Sequence, residues 1–482
     1  MNQAIRNVWI GVMVLFLAVM GALSYIQFFA AAELNANPLN NRQLYRDFDL
    51  ARGAILVDGE PVAESVRSDG QFEHQRRYNT PLQYSHLTGF YSLAYGSTHL
   101  ESAKNPELTG QSDSQFFTRL VNLVSGASNE GASVELTIDG ELQQQVYDIL
   151  PDGVQSTAIV SDPRTGDILA MVSKPGYDTN KLAVHSTSQA SANMAELLET
   201  PGLSPYINPA TGHLISPGST FKILDVVAAL ESGEFDLDTV FENPASVQLP
   251  GTTAEISNFG EGICTQRPQA QLDFIMAQSC NTPFVEISRT VGEDALRDVT
   301  ERFGFGQQID FPTRVAPSVF PSELTAAQLA QSSIGQFDVK ASPLQMNMVA
   351  MGIANDGVIM KPNLVRKVVA PDLRVLEETQ PEEFSTATTP EVAEQVTELM
   401  RGPLDGGTAA SAAIPGLDIA AKTGTAELGD GTDRVNSWIT GFAPADDPQV
   451  AVTIVVEKID YATGHTLTSP NLKKILEAVF NK

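Results

Sequence analysis

The sequence predicts an α+β fold: an antiparallel sheet of about five strands flanked by helices, with a helix-rich subdomain inserted into it. Three observations carry this. Two strand patterns stand early, at 157–161 and 167–172, joined by the Pro163-Arg164-Thr165-Gly166 turn. Three more, at 419–426, 437–442 and 450–457, alternate or run apolar near the end, with 444–448 as a turn. The stretch between them is dominated by the 3.6-residue periodicity of helices, so the first and last strands must be neighbours in space although distant along the chain.

Taken in order, residues 8–30 (VWIGVMVLFLAVMGALSYIQFFA) are almost wholly apolar and long enough to cross a hydrocarbon core as a helix. A secretory signal peptide is the competing reading, with Ala30-Ala31-Ala32 as its cleavage site, but the run is long for one. Arg6 precedes the span and Glu33 follows it, which leaves residues 1–7 in the cytoplasm and sends the rest outside the cell. Residues 31–131 are polar, rich in Gly and Ser, and read as a small mixed pedestal domain without chemistry of its own. Within it 52–63 reads as a hairpin about Asp58-Gly59, and Arg52 as a solvated surface charge. Asn40-Asn41-Arg42 and the stretch Tyr95-Gly96-Ser97-Thr98-His99-Leu100-Glu101 carry no site chemistry.

Around Ala132 the texture changes to long periodic segments, so 132–482 is expected to be one catalytic domain. Asp139 caps a helix over 141–150, and a helix over 469–480 packs back on the sheet. The 30 basic against 58 acidic residues give a net charge of −28, which argues against nucleic acid as a partner and against a polybasic membrane patch. Two cysteines, Cys264 and Cys280, fit no zinc spacing and the six histidines are scattered, so no metal site and no cofactor are expected. Outside the cytoplasm the two cysteines can pair, and a Cys264–Cys280 disulfide is the expectation.

The chemistry gathers on three short motifs. Ser216-Pro217-Gly218-Ser219-Thr220-Phe221-Lys222 opens a helix whose apolar positions Ile223, Leu224, Val227 and Leu230 recur at helical spacing up to Gly233. Ser219 then sits at a helix N-terminus with Lys222 three residues on, so an amine can reach the hydroxyl. By chance a Ser-x-x-Lys string is expected about once or twice in a chain this long, and Ser is an ordinary N-cap. The pattern gains weight from two later motifs in order along the chain. These are Ser279-Cys280-Asn281, between a helix over 271–278 and one opened by Pro283, and the single Lys422-Thr423-Gly424-Thr425 on a late strand. Ser-x-Asn alone is uninformative, since Ser191-Ala192-Asn193 and Ser469-Pro470-Asn471 also match.

If the three converge, a serine hydroxyl gains a base. Lys222 can take its proton only when neutral, and moving a lysine from about 10.4 to about 7.4 requires roughly 4 kcal/mol of destabilisation of the cation. Lys422 as a second cation and partial burial would supply it. Ser279 is placed to relay a proton to the leaving amine, Asn281 to hold Lys222 and the substrate amide, and Thr423 and Thr425 to bind a carboxylate. The backbone N–H groups of Ser219 and Thr425 would form an oxyanion hole, and Gly424 would let the helix layer approach the strand.

The set SPGSTFK, Ser279-Cys280-Asn281 and Lys422-Thr423-Gly424-Thr425 resembles the penicillin-binding proteins. The likeness extends to Arg52-Gly53-x-Ile55, the hairpin Asp162 to Met171, Ile334-Gly335-Gln336 and Ser342-Pro343-Leu344-Gln345-Met346, and is nearest to class B enzymes of the PbpA type from actinobacteria. The resemblance implies a D,D-transpeptidase that takes the acyl-D-alanyl-D-alanine end of a peptidoglycan stem peptide onto Ser219, releases D-alanine, and passes the acyl group to an amine. It implies acylation of the same serine by β-lactams, and work beside a SEDS-type glycosyltransferase and other wall-synthesis proteins. By motif, Ser219 is the nucleophile, Lys222 the base, Ser279 and Asn281 the second motif, and Lys422, Thr423, Gly424 and Thr425 the substrate-binding strand. The early segment shows no acidic glycosyltransferase motif, and no Glu-x-x-Leu-Asn segment lies between Asn281 and Lys422. The rival readings are a D,D-carboxypeptidase or β-lactamase-like hydrolase, which differs in its acceptor, and a catalytically silent β-lactam-binding scaffold.

Overall fold

The computed structural model describes residues 3–30, 48–116, 130–258 and 262–481 of the chain. Asn40-Asn41-Arg42 lies outside the described residues. The apolar N-terminal run forms the helix Gln3–Ser24, continued by a wider turn at Tyr25–Phe29. Within it Ile5–Gln27 is long and apolar enough to cross a membrane, and none of it is buried against the rest of the chain.

The central sheet has five strands, all antiparallel, in the order Ala420–Glu427, Arg434–Ala443, Val450–Asp460, Ser156–Ser161, Ile168–Lys174. The late strand Val450–Asp460 pairs with the early Ser156–Ser161, Thr453 opposite Ile159, and this closes the sheet across the helical insertion. Its sequence VAVTIVVE is apolar on both faces because helices cover both. Side chains alternate along a strand. Val452 and Ile454 join a cluster with Val146, Leu472 and Ile475, whereas Ala451 and Val455 join the larger core with Met346 and Val349. The helix Pro343–Ala354 is buried over its whole length, as its near-continuous apolar sequence demands.

A second, six-stranded sheet combines strands from the early and the late parts of the chain, in the order Val375–Glu378, Val365–Val369, Ser133–Leu136, Ile55–Val57, Glu60–Arg67, His74–Tyr78. The Asp58-Gly59 turn has both residues at positive φ, which Asp tolerates and Gly supplies freely. Arg52 is not a solvated charge. It is 4% exposed, and its Nε donates to Glu101 Oε2 at 2.6 Å while Arg76 Nε donates to Glu101 Oε1 at 2.6 Å. The Arg52 guanidinium lies 4.4 Å from the Tyr91 ring centroid. Local sequence gave no sign of Glu101 or Arg76 as partners, so the burial followed from tertiary contacts alone.

The C-terminal helix spans Tyr461–Phe480 rather than 469–480. Pro470 lies inside it, although in the local sequence it looks like a first-turn proline. The true cap is Asp460, whose carboxylate accepts from Thr463 N at 3.0 Å.

Candidate active site

The strand Ala420–Glu427 is the edge of the central sheet, and the turn that carries Ser219 is pressed against it. Gly218–Phe221 forms a 3₁₀ turn that runs into the helix Lys222–Ser232, and the helix stops at Gly233 in the left-handed conformation. Two glycines make the approach possible. A Cβ on Gly424 would sit 2.6 Å from Pro217 O, and one on Gly218, whose φ is +54°, would sit 2.5 Å from Thr425 O. Trp438 on the next strand donates from Nε1 to Ser216 O at 3.1 Å, and Gly218 N donates to Gly335 O at 3.0 Å. The turn is thereby held from both sides.

The second motif enters from the helical insertion. Leu272–Gln278 ends at Ser279, which takes the left-handed conformation as C-cap, and Pro283–Arg302 begins four residues later. This sharp connection turns two carbonyls and one amide inward. Lys222 Nζ donates to Ser279 O at 2.9 Å, to Cys280 O at 2.9 Å and to Asn281 Oδ1 at 2.7 Å. Asn281 is itself fixed, its N–H donating to Asn258 Oδ1 at 2.6 Å and its Nδ2 to Ser257 O at 2.9 Å. A disulfide joins Cys264 to Cys280, tying the middle residue of this motif to the segment before the Leu272–Gln278 helix.

Lys422 completes the centre. It is fully buried, as is Lys222, and its Nζ donates to Ser279 Oγ at 2.7 Å and to Thr423 O at 3.1 Å. Burial pushes the Lys422 amine down to about 7. Burial, then the nearby Lys422 cation, pushes Lys222 well below the ordinary lysine range.

A cleft of about 180 Å³ opens over these groups, lined among others by Ser219, Ser279, Asn281, Thr423, Gly424 and Thr425. The two lysines lie behind its floor. The three motifs thus meet, with one departure from the simple expectation that an amine rests against the nucleophile. Among the described residues the Ser219 hydroxyl takes no hydrogen bond from either amine; Lys222 has all three of its donors committed to the second motif. The cleft also includes residues for which the sequence carried no signal. Thr408 shares a hydrogen bond with Thr423 Oγ1 at 2.7 Å, and Tyr461 and His465 pack edge to face at one rim. Only the fold brings them there.

An edge strand beside a helix start, with a partly exposed serine, two buried amines of lowered basicity and a hydroxyl-lined cleft, is suited to acyl transfer to and from a serine oxygen. Among the described residues no three His, Cys, Asp or Glu side chains are grouped so as to hold a metal ion.

Comparison with known proteins agrees. Residues 156–477 match the model of the penicillin-binding protein transpeptidase domain, and residues 52–134 that of the penicillin-binding protein A dimerisation domain. The peptidoglycan D,D-transpeptidase PbpA of Mycolicibacterium smegmatis is 39% identical, over 98% of this chain and 97% of its own length. The PbpA of Mycobacterium tuberculosis is 37% identical, over 99% of each. Solved structures of penicillin-binding protein A from M. tuberculosis superpose closely: a ceftriaxone acyl-enzyme complex with a TM-score of 0.86 at 36% identity, covering 90% of this chain and 99% of that one, and an imipenem acyl-enzyme complex with 0.84 at 37%, with the same coverage.

Proposed function

The chain belongs to the penicillin-binding protein family, and from that membership we propose how its own residues carry the family reaction. It is a peptidoglycan D,D-transpeptidase of the PbpA type, acylated by β-lactams. The observation that carries the residue assignment is the convergence of Ser219, Ser279, Asn281, Thr423 and Thr425 on one cleft above two buried amines.

Ser219 Oγ attacks the carbonyl of the penultimate D-alanine. The new bond is Oγ–C; the bond that breaks is the C–N to the terminal D-alanine, which leaves as an amine after taking a proton. The oxygen that becomes negative is received by the backbone N–H groups of Ser219, where the helix start adds its dipole, and Thr425 on the facing strand. Lys222 is the base. With three acceptors around its Nζ at rest, it reaches the Ser219 proton only once it has lost a proton and released one acceptor. Ser279, hydrogen-bonded to Lys422, delivers a proton to the leaving nitrogen. Asn281 holds Lys222 and the substrate amide, Thr423 and Thr425 receive the terminal carboxylate, and Lys422 supplies positive charge beneath them. In the second half an amine on a neighbouring stem peptide attacks the ester, and Oγ leaves with the proton.

In this reading residues 8–30, within the apolar N-terminal helix, anchor the chain in the membrane, with residues 1–7 in the cytoplasm and the catalytic region outside, and a SEDS-type glycosyltransferase is the proposed partner there. Residues 31–131 form the non-catalytic N-terminal domain and 132–482 the transpeptidase domain.

A fluorescent penicillin should label the full chain on the peptide containing Ser219, read by mass spectrometry, and Ser219→Ala should abolish the label. Retained labelling would remove Ser219 as nucleophile. With a stem-peptide donor and an amine acceptor, the cross-linked product is expected; hydrolysis alone would make the enzyme a carboxypeptidase.

A further inference from the structure

The active-site cleft continues into a space that the reaction above leaves unassigned. A second cavity, of about 670 Å³, shares Asn281, Ile334 and Gln336 with the cleft and extends to Glu427 and Leu428 at the end of the edge strand. Three charged side chains line it: Glu427, Glu255 from the strand Glu255–Ser257, and Lys340.

Local structure puts each of them there. Side chains alternate along a strand, so Thr423, Thr425 and Glu427 share one face of the edge strand, with Glu427 about 7 Å beyond Thr425. Exposure rises along that face, from buried Thr423 through half-buried Thr425 to exposed Glu427. On Glu255–Ser257, Ile256 turns into a cluster with Val285, Ala327 and Ala330, which leaves Glu255 and Ser257 on the other face. That strand is tied to the second motif, because Asn281 Nδ2 donates to Ser257 O at 2.9 Å. Lys340 is half-buried, and its Nζ donates to Ser216 Oγ at 2.9 Å, three residues before the nucleophile. Among the described residues neither the Glu255 nor the Glu427 carboxylate has a hydrogen bond or an ion pair.

The reaction orients the donor relative to this groove. With the terminal carboxylate on Thr423 and Thr425 and the scissile carbonyl on the Thr425 N–H, the upstream residues of an extended donor run past Thr425 toward Glu427. Donor and acceptor stems are copies of one peptide. The donor therefore carries the same amine that an acceptor contributes, and brings it unused to the acyl side of the cleft.

We propose that the groove is a specificity site for the donor stem peptide, taking a side chain that ends in an α-amino-acid group, with its ammonium on the Glu255 and Glu427 carboxylates and its carboxylate on Lys340. A diamino diacid upstream of the D-alanyl-D-alanine end satisfies all three charges, whereas a plain diamine residue leaves Lys340 without an anion. Exposed carboxylates are screened by solvent, so the groove contributes selectivity among donors more than tight binding. The inference rests on the transpeptidase reading and on Thr423 and Thr425 as the carboxylate site.

The test compares three donor peptides that differ only at the end of this one side chain: ammonium with carboxylate, ammonium alone, and carboxylate with the amine acetylated. D-Alanine release is measured as kcat/KM on the full-length chain in detergent, with a small amine acceptor in excess so that the donor's own amine does not serve. The wild type is expected to use the first donor about tenfold better than either of the others. The double variant Glu255→Gln, Glu427→Gln should bring the acetylated donor to within about twofold of the first, and Lys340→Gln should do the same for the donor with ammonium alone. A wild type that fails to place the first donor ahead of both others, or a preference for the free ammonium that survives in the double variant, would overturn the proposal. Penicillin labelling at Ser219 checks that each variant is folded; if Lys340→Gln is not, the wild type and the double variant still decide. The two readings fail separately. Absence of D-alanine release from every donor would count against the transpeptidase, whereas equal use of all three donors sinks only the specificity site.

Discussion

The Lys422 amine donates to the Ser279 hydroxyl at 2.7 Å, joining the edge strand of the sheet to the connection between two helices of the insertion. Lys222 reaches the same connection from a third element, through the Ser279 and Cys280 carbonyls. Two amines therefore converge on one short stretch of backbone, where a charge on one disfavours a charge on the other. Such buried like-charge pairs are poor structural glue but serve proton transfer, because a small change in surroundings decides which of them is charged.

The charge of Lys422 should be visible in a pH profile. Burial brings its amine to about 7, so the cation is present below that pH and lost above it. A charge beneath Thr423 and Thr425 that draws in a substrate carboxylate then weakens as pH rises. The second-order acylation rate should show a basic limb near pH 7, and Lys422→Gln should lack the limb and acylate about 100-fold more slowly at pH 6. A limb retained in Lys422→Gln would assign it to another group.

The Cys264–Cys280 bridge closes a loop of sequence separation 16, which corresponds to roughly 3 kcal/mol of stabilisation through the unfolded chain. Its second effect is local, since the Cys280 carbonyl accepts from Lys222 at 2.9 Å. The double variant Cys264→Ser, Cys280→Ser should lose stability of that order in denaturant melts and acylate more slowly at unchanged Ser219. Thiol titration of the unfolded, unreduced wild type should return no free thiol. Two thiols would remove the bridge.

The Arg52–Glu101–Arg76 group makes a prediction about the N-terminal side. Burial raises the Glu101 carboxyl, but Arg76 and Arg52 outweigh it and hold the group below the usual carboxylate range. A carboxylate lowered in the folded state stabilises the fold above the unfolded value, about 4.3, and that contribution disappears as pH falls through the folded value. Glu101→Gln leaves two buried guanidinium groups without their anion and should cost about 3–5 kcal/mol at pH 7. Differential scanning calorimetry should place the loss in the melting of the sheet that contains Ile55–Val57. Penicillin labelling at Ser219 in the remaining folded fraction should persist.

The central sheet, the helix that presents Ser219 and the three motifs were all legible in the bare chain, because each is written in local pattern. Strand alternation, an apolar run at helical spacing ended by Gly233, and a Pro-opened helix after Asn281 are properties of neighbouring residues. Even the early-to-late strand pairing followed, since five strands and an intervening helical block leave few ways to close one sheet. The remainder came from packing. That Lys222 turns to the Ser279 and Cys280 carbonyls rather than to Ser219, that Arg52 is buried on Glu101, that Asp225 sits in the core and that Thr408, Tyr461 and His465 border the cleft are facts of distant segments meeting. The physical reason is range. Periodicity and capping act within a turn or a strand, whereas burial, and with it the charge state of every group in this site, depends on what the other elements bring to the same place.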